Sequence, residues 1–185
     1  MKIILASASP RRKELLKLIY DDFEIRPSDA DEALPSDLAV DKAAEFLACL
    51  KAESVEKGSD ELIIGCDTVV VTDNKILGKP KDRSDCFDML KMLSGRRHCV
   101  YTGVCIRYNN AVISFTEKTE VEFHELSDDE IAGYMDTGEP FDKAGGYGIQ
   151  GKGALLVRGI CGDYFNVVGL PVSALARKID EMLKK

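Results

Sequence analysis

Apolar residues recur along this chain at two spacings, one near 3.6 and one of two, and the switches between them mark out its elements. Residues 2–6 read as a strand and 10–20 as a helix carrying Leu15, Leu18 and Ile19 on one face. The polar stretch 21–36, with Pro27 and Pro35, reads as a loop or edge segment. A longer helix spans 37–57 and stops at Gly58. An apolar strand at 62–66, continued by 68–72, precedes the turn signal Asp73-Asn74 and a short strand at Lys75–Leu77. A helix over 84–94 turns Phe87, Leu90 and Leu93 inward and ends at Gly95. Strands 97–107 and 111–123 are joined at Asn109-Asn110, with clear alternation at Thr119, Val121 and Phe123. Ser127 and Glu130 have capping-box spacing and open a helix to Met135 that closes near Gly138. After a loop over 139–153 come strands at 154–161 and 164–168 and a last helix at 172–184. This mixture of β-α units and hairpins predicts an α/β fold with a mixed sheet, as one compact unit or two lobes.

Composition narrows the classes. With 185 residues the chain can bury a real core. Hydrophobic residues at 45% and charged residues at 31% are ordinary for a soluble globular protein. No apolar run approaches the roughly 20 residues of a bilayer span, and the N-terminus lacks a signal-peptide pattern. The cytoplasm is therefore the expected location, with no membrane partner. A net charge of −7 with dispersed basic residues argues against a nucleic-acid partner. It also makes Mg²⁺ worth considering if the ligand is an anion. The six cysteines form no Cys-x-x-Cys pair, so buried free thiols fit better than a zinc site.

Four features resist a purely structural reading. The first is Ser7-Ala8-Ser9-Pro10-Arg11-Arg12, where a strand becomes a helix. Ser9 suits the N-cap and Pro10 the first helical position. Free N–H groups, a positive dipole end and two guanidinium groups coincide there, which is an anion site or else a well-capped surface helix. The second is Asp67, inside an apolar strand run where Asp is disfavoured. It either breaks the strand and caps a turn, or stands at a strand end facing a cleft as a base or metal ligand. The third is a pair of lysines. Lys51 follows Leu47 by four and precedes Val55 by four, on or beside an apolar helix stripe. It snorkels or it serves the site. Lys79 sits on the stiff turn Gly78-Lys79-Pro80, aimed at a phosphate or simply on the surface.

The fourth feature is Glu139-Pro140-Phe141-Asp142-Lys143-Ala144-Gly145-Gly146-Tyr147-Gly148-Ile149-Gln150-Gly151. It lacks a P-loop ending and dinucleotide-fingerprint spacing. Its glycines allow close backbone approach to a ligand, and the alternative is a flexible surface loop. Asp142 and Lys143 supply charge, and Gln150 offers a donor and an acceptor to a base edge.

Taken together, these segments resemble the Maf family of nucleoside triphosphate pyrophosphatases over nearly the whole chain. The resemblance also takes in Asp31-Glu32, Leu47-Ala48-Cys49-Leu50-Lys51-Ala52, Gly65-Cys66-Asp67-Thr68-Val69-Val70 and Asn166-Val167-Val168-Gly169-Leu170-Pro171. It implies one domain over 1–185. The implied fold is α/β, with an elongated mixed sheet, flanking helices and two lobes around a central cleft, similar to inosine triphosphate pyrophosphatases. The implied reaction is Mg²⁺- or Mn²⁺-dependent hydrolysis of a nucleoside triphosphate to the monophosphate and pyrophosphate, a house-cleaning activity. Asp67 matches the family's proton acceptor, and Arg12, Thr68 and Gln150 match positions linked to substrate choice. The Tyr-Gly-Ile-Gln-Gly form is similar to the branch acting on dTTP and UTP. Ser7, Ser9, Arg11, Asp142 and Lys143 are then expected at the substrate. Glu32 and Asp67 are expected at the metal, and Lys51 and Lys79 on the phosphates. The alternatives are a nucleotide-binding regulator of cell division and septum formation without essential catalysis, or a nucleotidyltransferase. The oligomer is open between a monomer and a homodimer.

Overall fold

The computed structural model describes residues 1–184 and has a mixed sheet flanked by helices. In chain order the elements are β1 (Lys2–Leu5), α1 (Pro10–Leu16), β2 (Glu24–Ile25), α2 (Ala43–Ser54), β3 (Glu61–Thr72) and β4 (Lys75–Leu77). There follow α3 (Arg83–Leu93), β5 (Arg97–Tyr108), β6 (Ala111–Phe123), α4 (Asp128–Asp136), β7 (Val157–Cys161), α5 (Tyr164–Val168) and α6 (Val172–Leu183). The strand order is β2-β1-β3-β5-β6-β7, with β4 paired to β3. Parallel pairs (β1 with β2 and with β3) coexist with antiparallel ones (β3 with β4, β6 with β7), so the expected mixed α/β sheet is present.

The chain packs as two compact units. The first comprises Met1–Thr68, Thr102–Glu117 and the chain from Gly169 on. Its organising contact is α2 on the sheet. Ala44, Ala48 and Ala52, four residues apart, form a stripe without bulk. The strands answer with glycine. A Cβ on Gly65 would lie 2.2 Å from the Ala48 carbonyl oxygen, and one on Gly103 would lie 2.2 Å from the Ala44 carbonyl group. Helix backbone and sheet backbone therefore touch, and any larger residue at either glycine would force them apart. Ile4, Ala6, Ile63, Val55 and Cys105 complete this core.

The second unit comprises Val69–Tyr101 and Lys118–Val168. Leu90 and Leu93 of α3, Ile131 and Met135 of α4, and Val121 and Phe123 of β6 form its core. Phe123, His98 and Tyr147 meet edge to face with centroids 4.7–5.3 Å apart. His98 is buried, and its Nε2 lies 2.6 Å from the Tyr147 hydroxyl. Burial pushes the imidazole down from 6.5 to about 4. The sign of the consequence follows directly. Between those pH values the unfolded chain binds a proton at His98 that the folded chain refuses, so stability falls as pH drops through this window. The limiting slope for one proton is about 1.4 kcal/mol per pH unit. Thermal melts from pH 7 to 4 should show a shallower decline for His98→Gln than for the parent. Equal slopes would remove His98 as the cause.

Several elements differ from the sequence reading. α1 is shorter than 10–20; its last turn tightens, with Leu18 N–H and Ile19 N–H reaching back only three residues. Leu15 and Leu16 are buried, whereas Leu18 is 64% exposed. The helix expected over 37–57 is a 3-10 turn at Val40–Lys42 followed by α2. It ends when Val55 turns into extended backbone and buries its side chain, before Gly58 is reached. Segment 164–168 is the helix α5 and not a strand. Its β-prone composition yields to a local turn, in which Asp163 Oδ1 accepts from Phe165 N–H, and to tertiary contacts, in which the buried Asn166 amide donates to Val100 O and Thr119 Oγ1. The turns at Asp73-Asn74 and Asn109, the capping box at Ser127 and Glu130, and the stop at Gly95 form as expected. All six cysteines are free, with Cys66, Cys86 and Cys105 buried and Cys161 exposed. No helix among the described residues is long and apolar enough to cross a membrane.

Candidate active site

The candidate residues of the first unit gather past the C-terminal end of β1. β1 pairs in parallel with β3 until Leu5 meets Ile64. β3 then runs on through Asp67 and Thr68 without a break, so Asp67 lies mid-strand and not at a strand end. Successive residues of a strand face opposite sides. Gly65 and Asp67 face α2, while Cys66 and Thr68 face the turn into α6. Parallel sheets place ligand sites outside the carboxyl ends of their strands, which is the position β3 occupies here.

On the α2 side, Lys51 Nζ donates to Asp67 Oδ1 at 2.5 Å and pairs with Glu32 Oε1 at 3.0 Å. The Lys51 and Asp67 side chains are each 12% exposed, and Glu32 is open at 56%. This explains an acid in a buried strand. Its charge is cancelled within contact distance by a lysine that the bare Ala48 and Ala52 leave room to approach.

On the other side Arg12 is locked by three acceptors. Its Nε–H donates to Gly169 O at 3.0 Å, its Nη1 to Ser7 Oγ at 3.2 Å and its Nη2 to Thr68 Oγ1 at 3.1 Å. Gly169 has φ +126°, a conformation that admits little but glycine and that turns its carbonyl toward the guanidinium. The buried Cys66 thiol donates to the same carbonyl at 3.2 Å. Burial pushes that thiol up to about 11, so it keeps the proton it donates. Thr68 Oγ1 lies 2.9 Å from the hydroxyl of Thr102, which is fully buried. Ser9 caps α1 through Arg12 N–H and Pro10 takes the first helical position, as expected. Arg11 is half-buried beside it.

The second unit holds the remaining candidates. Lys79 is exposed, and its turn is tied to the glycine loop by Gly145 N–H donating to Gly78 O at 2.9 Å. Within the loop Lys143 Nζ donates to Glu139 O and pairs with Asp142 Oδ1 at 2.6 Å. Its stem lies over Gly148, where any Cβ would come within 2.8 Å of it. The loop is not loose. It winds through three short 3-10 turns, with Gly145, Gly146 and Gly151 at positive φ. Gln150 is exposed just before the last of them and its side chain caps nothing.

The family resemblance implies a divalent cation, Mg²⁺ or Mn²⁺. Among the described residues no group of three His, Cys, Asp or Glu side chains could hold a metal alone. Glu32 and Asp67 nevertheless converge on one ammonium. Two carboxylate donors, with substrate phosphates completing the shell, fit how Mg²⁺ is usually held. The residues therefore suit that ion only when substrate brings further oxygens.

Sequence reasoning assigned no role to Thr102, to the Gly169 carbonyl or to the Cys66 thiol. Thr102 left one signal, a hydroxyl on the buried parity of β5 alongside His98 and Val100.

Fold and site together define an α/β protein in which two consecutive residues of one strand, Asp67 and Thr68, hold a lysine ammonium and a locked arginine on opposite faces. The chain belongs to the Maf family: the family model described as Maf-like protein matches residues 2–182. It is 56% identical over 173 residues to the dTTP/UTP pyrophosphatase of Thermosipho africanus, covering 94% of this chain and 89% of that one. It is 48% identical over 186 residues to the dTTP/UTP pyrophosphatase of Bacillus anthracis, covering 97% and 95%. Among solved structures, a HAM1 protein from Coxiella burnetii aligns over 98% of this chain and 99% of its own, at 14% identity and a TM-score of 0.49.

Proposed function

We propose that this protein hydrolyses dTTP and UTP to the nucleoside monophosphate and pyrophosphate. The observation that carries the reading is the pairing of Lys51 with Asp67, with Arg12 locked by the next residue of the same strand, in a chain close to proteins named for that reaction. A triphosphate brings several negative charges, and water cannot attack phosphorus until they are balanced. Arg12 presents a guanidinium already held in place, so little ordering is left for binding. Within the first unit, Arg11 and the α1 terminus with Ser7 and Ser9 complete the polar surroundings of the phosphates; in the second unit Lys79, Lys143 and Asp142 are the charged groups that a phosphate would meet. Asp67 takes the proton of the attacking water, and Lys51 holds its carboxylate in place. Glu32 and Asp67 are the residues that would hold Mg²⁺ or Mn²⁺, which when bound supplies charge neutralisation at the phosphate oxygens.

Gln150 reads the base. Its amide can donate to one carbonyl of uracil or thymine and accept from the ring N–H. Cytosine offers an amine where uracil has a carbonyl. A polar group buried without a partner costs roughly 1–3 kcal/mol, which gives about 10-fold discrimination or more. The test is kcat/KM for dTTP, UTP, CTP, ATP and GTP with Mg²⁺, read by pyrophosphate release, for the parent and Gln150→Glu. The parent should prefer dTTP and UTP, and the variant should lose that preference because a carboxylate cannot donate. No pyrophosphate from any triphosphate would leave a non-catalytic nucleotide binder. A preference untouched by the substitution would take Gln150 out of base reading.

A further inference from the structure

Thr102 has a position that the reaction as described leaves unused. It sits on β5 beside Thr68 of β3, with no exposed surface of its own. The pleat separates its face from that of its neighbour: Gly103 faces Ala44 of α2, whereas Thr102 faces the Arg12 side. Thr68 Oγ1 accepts from Arg12 Nη2 and so spends one of its two lone pairs. Its remaining lone pair and its proton are free to rotate unless something fixes them. The Thr102 hydroxyl, at 2.9 Å, is what fixes them. A hydrogen-bond chain then runs from buried Thr102 through Thr68 to the guanidinium, whose other nitrogens are held by Ser7 and Gly169. We infer that Thr102 is a positioning residue, which sets the rotor of Thr68 and through it the aim of Arg12 at the substrate. The inference rests on the reading of Arg12 and Thr68 as substrate contacts.

A buried threonine invites the objection that it only packs. The tests separate the two roles. Thr102→Val keeps shape and volume but removes the hydroxyl, while Thr102→Ser keeps the hydroxyl. Thr102→Val should lower kcat/KM for dTTP about 10-fold, mostly through KM, with an unchanged circular dichroism spectrum. Thr102→Ser should stay within about 2-fold of the parent. In an Arg12→Ala background, Thr102→Val should cost less than about 2-fold, because the group it positions has gone. A packing role predicts the reverse on each count: no recovery with Ser, and the same loss in both backgrounds. Either result overturns the inference, as does a Thr102→Val enzyme with the parent's KM. Should Thr102→Val not fold, Thr102→Ala carries the same comparisons. An impaired Arg12→Ala beside a normal Thr102→Val removes Thr102 alone. Parent kinetics in Arg12→Ala removes the substrate role of Arg12, and this inference with it.

Discussion

Asp67→Asn should lower turnover of dTTP and UTP by at least about 10²-fold, the low end for losing a positioned base. The substitution keeps the shape of the side chain and removes its charge and basicity. Folding should survive, and the geometry says why. Asp67 is buried, so its loss would ordinarily strand the charge of Lys51. Here Glu32 stays 3.0 Å from the same ammonium, on the exposed side, and the Asn carbonyl oxygen can still accept from it. The measurement is kcat by pyrophosphate release, alongside a thermal melt. Near-normal turnover in a folded variant would exclude Asp67 from the chemistry. A large rise in KM with kcat preserved would instead make it a binding group.

Where the sequence told the story, a local signal had a local cause. Ser9 and Pro10 shape the start of α1, and Ser127 with Glu130 shapes the start of α4, because capping depends on neighbours within one turn. The alternation through Thr119, Val121 and Phe123 survives because one face of β6 is buried there. Where the reading failed, a distant contact decided. Asp67 looked like a strand break or a strand end because strand propensity assumes no partner, and its partner lies on α2, sixteen residues earlier in the chain. Tyr164–Val168 looked like a strand until Asn166 found acceptors on β5 and β6. Lys51 stood out only as a cation beside an apolar stripe. Next to the Leu47 and Val55 positions runs a stripe of Ala44, Ala48 and Ala52 packed on glycine, and this close approach brings the lysine to the strand. Thr102 and the Gly169 carbonyl were invisible for the same reason. Their meaning depends on Thr68 and Arg12, which lie far from both in the chain.

Replacing Lys51 should be nearly as damaging as replacing Asp67, by a different route. Lys51→Ala removes the cation shared by Asp67 and Glu32. Turnover should fall by about 10²- to 10³-fold, the range for losing one preorganised donor that works on developing charge in a water-excluded site. Lys79→Ala should impair hydrolysis by less, because Lys79 is exposed and orders no other side chain among the described residues. The split between kcat and KM distinguishes aiming Asp67 from merely neutralising phosphate. Loss of aim lowers kcat, whereas a simple loss of phosphate affinity raises KM and leaves kcat in place. Stability supplies an independent check. Lys51→Met keeps the aliphatic stem against α2 and strands Asp67, so the melt should fall. Lys51→Met with Asp67→Asn removes both charges, and the melt should recover while turnover stays lost. Recovery of activity along with stability in the double variant, or parent kinetics in Lys51→Ala, would show that the pair is a structural ion pair and nothing more.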